Sequence, residues 1–166
     1  MIYSLEELQR AIAQDPEHWR PLVFTNGCFD LLHVGHVRYL MAARKLGKRL
    51  IVGLNSDHSV RNLKPAKPGY PPRPIVPEGQ RGEVLGALKP VDGVVIFDEP
   101  TAGPTLAILK PDIYVKGGDY TVETLPETPI VQSYGGQIQL IPVEVATGTT
   151  NIIEMILGSA APESPD

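Results

Sequence analysis

The sequence holds one cysteine, Cys28, in 166 residues. No intramolecular disulfide can form, and no redox compartment is implied. Long apolar runs are missing too: none approaches the roughly 18 residues of a membrane span. Where a secretory leader would carry a basic and then an apolar stretch, the N-terminus has Glu6, Glu7 and Asp15. Excess positive charge is absent. A formal net charge of −4 argues against a nucleic-acid surface. No internal repeat is found. Two phosphate-binding fingerprints are also absent, Gly-x-Gly-x-x-Gly and Gly-x-x-x-x-Gly-Lys-Ser/Thr. An ordinary dinucleotide site and a Walker-type site are thereby excluded. What is left is a cytoplasmic protein with no membrane or nucleic-acid partner. Its 42% hydrophobic content can build the core of a single domain.

Five apolar segments read as strands: Leu22 to Thr25, Arg49 to Leu54, Gly93 to Phe97, Asp112 to Lys116 and Gln137 to Ile141. Leu50-Ile51-Val52-Gly53-Leu54 is continuously apolar, as in a strand covered on both faces. Helices are predicted between them. Residues 1–20 read as one amphipathic helix, with Ser4 and Glu7 as a capping box and Leu5, Leu8 and Ile12 on one face. Val37 to Leu46 buries Val37, Leu40 and Met41, turns Arg38, Arg44 and Lys45 outward, and is capped by Gly47. Asn55-Ser56-Asp57 starts a short helix, Pro77 to Leu88 forms the next, and another runs from about Thr101 to Leu109. Glu123 to Tyr134 reads as a helix interrupted by Pro126 and Pro129, and Thr149-Thr150-Asn151 opens the last one. Strands alternating with helices predict an α/β fold with a parallel, doubly wound sheet. Residues 158–166 read as a disordered tail.

Thr25-Asn26-Gly27-Cys28-Phe29-Asp30-Leu31-Leu32-His33-Val34-Gly35-His36 joins the first strand to its helix. Strand-to-helix junctions of parallel sheets are where α/β proteins bind phosphates. His33 and His36 fall on one face of the first helical turn, and Gly35 leaves room for a ligand. A zinc pair usually has a spacing of four, and only Cys28 and Asp30 stand near as further ligands. A phosphate explains the pair better, because each neutral imidazole donates one N–H beside the positive end of a helix. Cys28 reads as a packing residue rather than a nucleophile. Residues 64–74 carry five prolines, two lysines and an arginine, which reads as an irregular, anion-facing loop.

The junction resembles the signature of the cytidylyltransferase-like nucleotidyltransferases, and most of all the branch that adenylylates heptose 1-phosphate. Further stretches match in order: Val52 to Asp57, Arg73 to Pro77, Gln80-Arg81, Val115 to Tyr120 and Thr149 to Ile153. The resemblance runs from about residue 3 to residue 157 and implies one nucleotidyltransferase domain over 1–157. The implied fold is a Rossmann-like α/β/α sandwich with a five-stranded parallel sheet. The implied reaction moves AMP from ATP, with Mg2+, onto a sugar 1-phosphate. CTP with glycerol 3-phosphate or a similar alcohol phosphate is the alternative, and a non-catalytic nucleotide-binding module is another.

By resemblance, Thr25, Asn26, Gly27, Cys28, Phe29, Asp30 and Gly35 would hold the nucleotide. His33, His36 and Lys64 would act on the reacting phosphates, with Lys67 as the alternative to Lys64. Arg73, Arg81 and Lys116 would meet substrate phosphate. Gly118 and Asp119 would wall the base and ribose, and Thr149 and Thr150 would bind an anion. Structural roles compete with these: a solvated helix charge for Arg81, a strand-end charge for Lys116, a turn for Asp119 and an N-cap for Thr149. The resemblance implies no protein-held metal. It also implies a possible homodimer, with the N-terminal helix as a contact.

Overall fold

The computed structural model describes residues 1–118, 120–142 and 148–159. Its elements are β1 (Ile2–Tyr3), α1 (Leu5–Gln14), α2 (Pro16–Trp19), β2 (Leu22–Gly27), α3 (Val34–Arg44), β3 (Arg49–Asn55), α4 (Asp57–Leu63) and α5 (Glu78–Gly86). There follow β4 (Gly93–Phe97), α6 (Gly103–Leu109), β5 (Ile113–Gly117), a 3-10 turn (Val122–Thr124), α7 (Thr128–Ser133), β6 (Gln137–Ile141) and α8 (Thr149–Ser159). All strand pairs are parallel, in the order β1-β4-β3-β2-β5-β6.

Alternation along the inner strands builds a core on each face of the sheet. Leu22 and Phe24 of β2 and Ile51 of β3 join one cluster with Leu8, Leu106 and Val131, from α1, α6 and α7. Val23 of β2 and Leu50, Val52 and Leu54 of β3 join the other with Leu40 and Leu85, from α3 and α5. The result is the expected α/β/α sandwich.

The sheet has six strands, not the expected five. β1 is only two residues long and borders β4 through Ile2–Val94 and Tyr3–Val95. So short a strand has no periodicity, and its order comes from pairing with a distant segment. The single helix expected over residues 1–20 is likewise β1 followed by two helices. Pro16 starts α2 instead of only ending α1, since its missing N–H costs nothing at a first helical position. Asp15 caps α2 by accepting the His18 N–H at 3.0 Å. The Ser4–Glu7 capping box of α1 is present in both directions, at 3.2 and 2.8 Å.

Gly47 is no left-handed cap. A Cβ there would lie 2.6 Å from the Pro21 carbonyl oxygen, so glycine lets the chain pass β2 closely. The helix expected over 123–134 divides into the 3-10 turn and α7, and Pro129 is accommodated in the first turn of α7. α8 runs to Ser159, into the expected tail, and residues 160–166 lie outside those described.

At the amino edge of the sheet, two aspartates link strand starts. Asp92 accepts the Leu50 N–H at 2.8 Å and pairs with Arg44 and Arg49. Asp112 accepts the Leu22 N–H at 2.6 Å and pairs with Arg20. No helix among the described residues is long and apolar enough to cross a membrane.

Leu8 and Ile12 point inward, so α1 offers a partner only its polar face. Leu8→Ala is expected to lower stability by about 2–5 kcal/mol in urea unfolding. Arg10→Ala, on the exposed face, should stay within about 0.5 kcal/mol of wild type.

Candidate active site

β2 lies between β3 and β5. The chain leaves β2 toward β3 and returns later to its other side, so the crevice beyond the carboxyl ends of β2 and β5 is the topological switch point. Ligands of open α/β sheets bind at such a point. A cavity of about 540 Å3 opens there. Its walls are Asn26 to Phe29 after β2, His33, Gly35 and His36 at the start of α3, Lys116 and Gly117 at the end of β5, and Ile141, Pro142 and Gly148 beyond.

The two histidines cap α3 for each other. His33 is the N-cap, and its Nδ1 accepts the Gly35 N–H at 3.2 Å. The His33 N–H in turn donates to His36 Nδ1 at 3.4 Å. A ring nitrogen that accepts carries no proton, so each neutral ring keeps its hydrogen on Nε2. The ring centroids stand 4.0 Å apart, and Phe29 packs on His36 at 5.3 Å. Burial pushes both imidazoles below the ordinary histidine value, His36 down to about 4, with the neighbouring His33 adding to its shift. Protonating either Nδ1 would also break a cap. At neutral pH the site therefore carries two uncharged N–H donors on rings that line the cavity.

Beside them, Asn26 is fixed from behind. Its Oδ1 accepts from Tyr114 Oη at 2.8 Å and from Lys116 Nζ at 3.3 Å. With the oxygen engaged inward, the amide hydrogens remain for a ligand. Burial lowers the Lys116 pKa while the Glu127 carboxylate opposes the shift. This half-buried amine lines the same cavity. Thr25 is fully buried and bonds to Tyr39 Oη at 2.6 Å. The Tyr39 hydroxyl donates to the Val115 carbonyl at 3.2 Å, so Thr25 donates to Tyr39. Thr25 thus ties α3 to β2 and β5 and does not reach the cavity.

Asp30, Arg73 and Arg81 also lie outside the cavity wall. Asp30 is buried, pairs with Arg73, and accepts the N–H groups of Ile75 and Val76, each at 2.9 Å. Arg81 is neither solvated nor open to the cavity: at 1% exposure it binds the carbonyls of Cys28 and Val76 and the Asp57 carboxylate. Burial pushes the Cys28 thiol up, and Lys64, Arg81 and Arg73 pull against it. Lys64 is thus within electrostatic reach of the junction, although it is exposed at the end of α4. Lys67 stacks on the Tyr70 ring at 4.1 Å, and Tyr70 donates to Glu154 at 2.6 Å, joining the proline-rich loop to α8. Thr149 begins α8 and donates to the Leu31 carbonyl at 3.2 Å, while Thr150 is exposed. Gly118 has φ 105, and Asp119 lies outside the described residues.

Sequence reasoning missed the length of the cavity along α3. Arg38, Tyr39, Met41, Ala42 and Lys45 all line it. Arg38 and Lys45 had been expected to point outward, and Met41 was expected in the core but is 50% exposed. The 38–41–45 spacing is itself a helical stripe, and it marked this face. Ile141 and Pro142 gave no comparable signal.

Together these features define an α/β protein with a cavity at the switch point of a parallel sheet. The cytidylyltransferase-like family model matches residues 24–155, and the chain belongs to that family. It is 51% identical to the bifunctional protein HldE of Trichlorobacter lovleyi over 156 residues, 94% of this chain and 31% of that protein. To the HldE of Pectobacterium atrosepticum it is 46% identical over 160 residues, 96% of this chain. The chain therefore spans about a third of the length of these relatives, 31% and 32%. Among solved structures it resembles the lipopolysaccharide core biosynthesis protein of Thermoplasma volcanium. That match has a TM-score of 0.59 and 28% identity, covering 75% of this chain and 97% of that one.

The histidine geometry has a pH signature. An unfolded histidine takes its proton near the ordinary value of 6.5, whereas burial moves that of folded His36 down to about 4. In that window the unfolded chain binds more protons, so this contribution to stability is complete above the upper value and is lost as pH falls toward the lower one. A histidine titration by NMR should place the His36 ring near 4 in the free protein. A value at or above 6.5 would contradict the buried, capping geometry.

Proposed function

We propose that the protein transfers the adenylyl group of ATP to the phosphate of a heptose 1-phosphate and releases pyrophosphate. The observation that carries this reading is the pair of uncharged Nε2–H donors at the switch-point cavity. The similarity to HldE proteins supports the choice of nucleotide and acceptor. An oxygen of the acceptor phosphate attacks the α-phosphorus in line. The bond from that phosphorus to the bridging oxygen breaks, and pyrophosphate departs with the electron pair. The chain needs no covalent intermediate for this; it has to align the two substrates and stabilise charge on the moving oxygens.

His33 and His36 donate to the triphosphate. Lys116 neutralises phosphate charge inside the cavity, and the Asn26 amide donates beside it. Lys64, exposed and within electrostatic reach of the junction, is a flexible point charge suited to follow the leaving group. Among the described residues, no group of three or more His, Cys, Asp or Glu gathers as a metal cage. A magnesium ion fits this site as part of the nucleotide, held by its phosphate oxygens, where it would offset their charge. We assign Gly118 and Asp119 to the base and ribose, and Thr149 and Thr150 at the start of α8 to phosphate. The compartment we assign is the cytoplasm.

His36→Ala should leave a cooperatively folded protein with turnover lowered about 10²–10³-fold, the usual loss for one donor to a developing oxyanion. Undiminished turnover would remove the histidines from the mechanism. The substrates are tested by pyrophosphate release from ATP and CTP, each with a panel of sugar and polyol phosphates. Release with ATP and heptose 1-phosphate is expected. Release only with CTP and an alcohol phosphate would reassign both substrates, and nucleotide binding without any release would indicate a regulatory module.

A further inference from the structure

Arg81 stands on α5, a helix that adds nothing to the cavity wall, and its side chain is 0% exposed. Three protein groups satisfy it. Nε donates to the Val76 carbonyl at 2.8 Å, one terminal nitrogen to Asp57 Oδ1 at 2.8 Å, and the other to the Cys28 carbonyl. Asp57 is itself held, since its N–H donates to Glu78 at 2.6 Å. The guanidinium is therefore anchored on two sides, and its third arm grips the junction loop.

The Cys28–Phe29 peptide is trans, since the cis bonds are Arg20–Pro21 and Arg73–Pro74. In a planar trans peptide the carbonyl and the next N–H point in opposite directions. Arg81 holds the carbonyl from the protein side. The Phe29 N–H then points away from Arg81, and Phe29 is a residue of the cavity wall. No protein group among the described residues accepts that N–H. Phe29 also has φ 43, a left-handed conformation unusual for a bulky side chain. Such a conformation persists only where its surroundings over-determine it. Here the Cys28 carbonyl is held on one side of it and the Asp30 carboxylate on the other, and its ring packs against His36.

We propose that Arg81 is a positioning residue: by holding the Cys28 carbonyl it aims the Phe29 N–H into the cavity as a donor to nucleotide phosphate. This rests on the phosphate-transfer reading above. Arg81 touches no substrate. A lysine cannot replace it, because a single ammonium lacks the planar fork that spans all three partners.

The test compares wild type with Arg81→Lys as full chains labelled with 15N. The Phe29 amide resonance is followed during titration with inorganic tripolyphosphate and with ATP, and kcat and KM come from pyrophosphate release. In wild type the Phe29 amide should shift with both phosphates. In a folded Arg81→Lys that shift should vanish and kcat should fall about 10²-fold, the cost of misplacement by about 1 Å, with KM for the acceptor little changed. A wild-type Phe29 amide that ignores both phosphates overturns the proposal. So does a variant that keeps the amide response, whether kcat falls or not. If Arg81→Lys does not fold, Asp57→Asn, which frees one arm of the guanidinium, takes its place. It should weaken the amide response and lower kcat in parallel, and an unchanged response counts against the proposal. The tripolyphosphate titration needs no turnover. A wild-type response without any pyrophosphate release would therefore leave the role of Arg81 standing and remove only the reaction.

Discussion

The side chain of Asp30 has no solvent contact, so the protein itself must satisfy its carboxylate. Arg73 and two consecutive backbone N–H groups do so, and all three come from the loop after α4. A buried carboxylate left unpaired is costly. That cost fixes a proline-rich segment with no regular structure against the end of β2. Arg81 adds a second tie by bonding to the same loop at Val76 and to the junction at Cys28. The cavity keeps its shape because two buried charges hold its irregular parts on the regular sheet.

This division of labour explains what could be read from the sequence. β3 was legible because five apolar residues run together, and β4 and β6 were placed at their observed ends. The capping box of α1 was legible because both partners lie within one turn. Arg81 was not. It was named as a site residue for good reasons, but its partners lie 5, 24 and 53 positions away, and only the folded chain brings them together. Asp30 and Arg73 were likewise named for ligand contact and turn out to bind each other. Both are close to the site, and spacing alone cannot separate a residue that touches a ligand from one that holds the wall. β1 escaped notice because two residues have no period.

The histidine pair shows the same limit on a finer scale. The spacing of His33 and His36 predicted neighbours on one helical face; the rings do lie side by side, 4.0 Å apart, but His33 is the extended N-cap and not part of the first turn. Their roles as mutual caps depend on which ring nitrogen faces the backbone, and spacing carries no information about that. The caps fix the tautomer and burial fixes the charge state. The site therefore presents neutral donors backed by lysines, not a ring of standing positive charge.

The aspartates that link the strand starts are paired with Arg20, Arg44 and Arg49 at the amino edge of the sheet, whereas Arg38, Lys45 and Lys116 line the cavity. The chain is net acidic, yet none of the three cations lining the cavity forms an ion pair among the described residues. Cations left unpaired at a cavity attract an anion before any contact forms and raise its rate of encounter. Added salt would shorten the reach of that field without loosening the buried pairs at Asp30 and Arg81. Capture rate and fold stability are in this way set by different charges of the same protein.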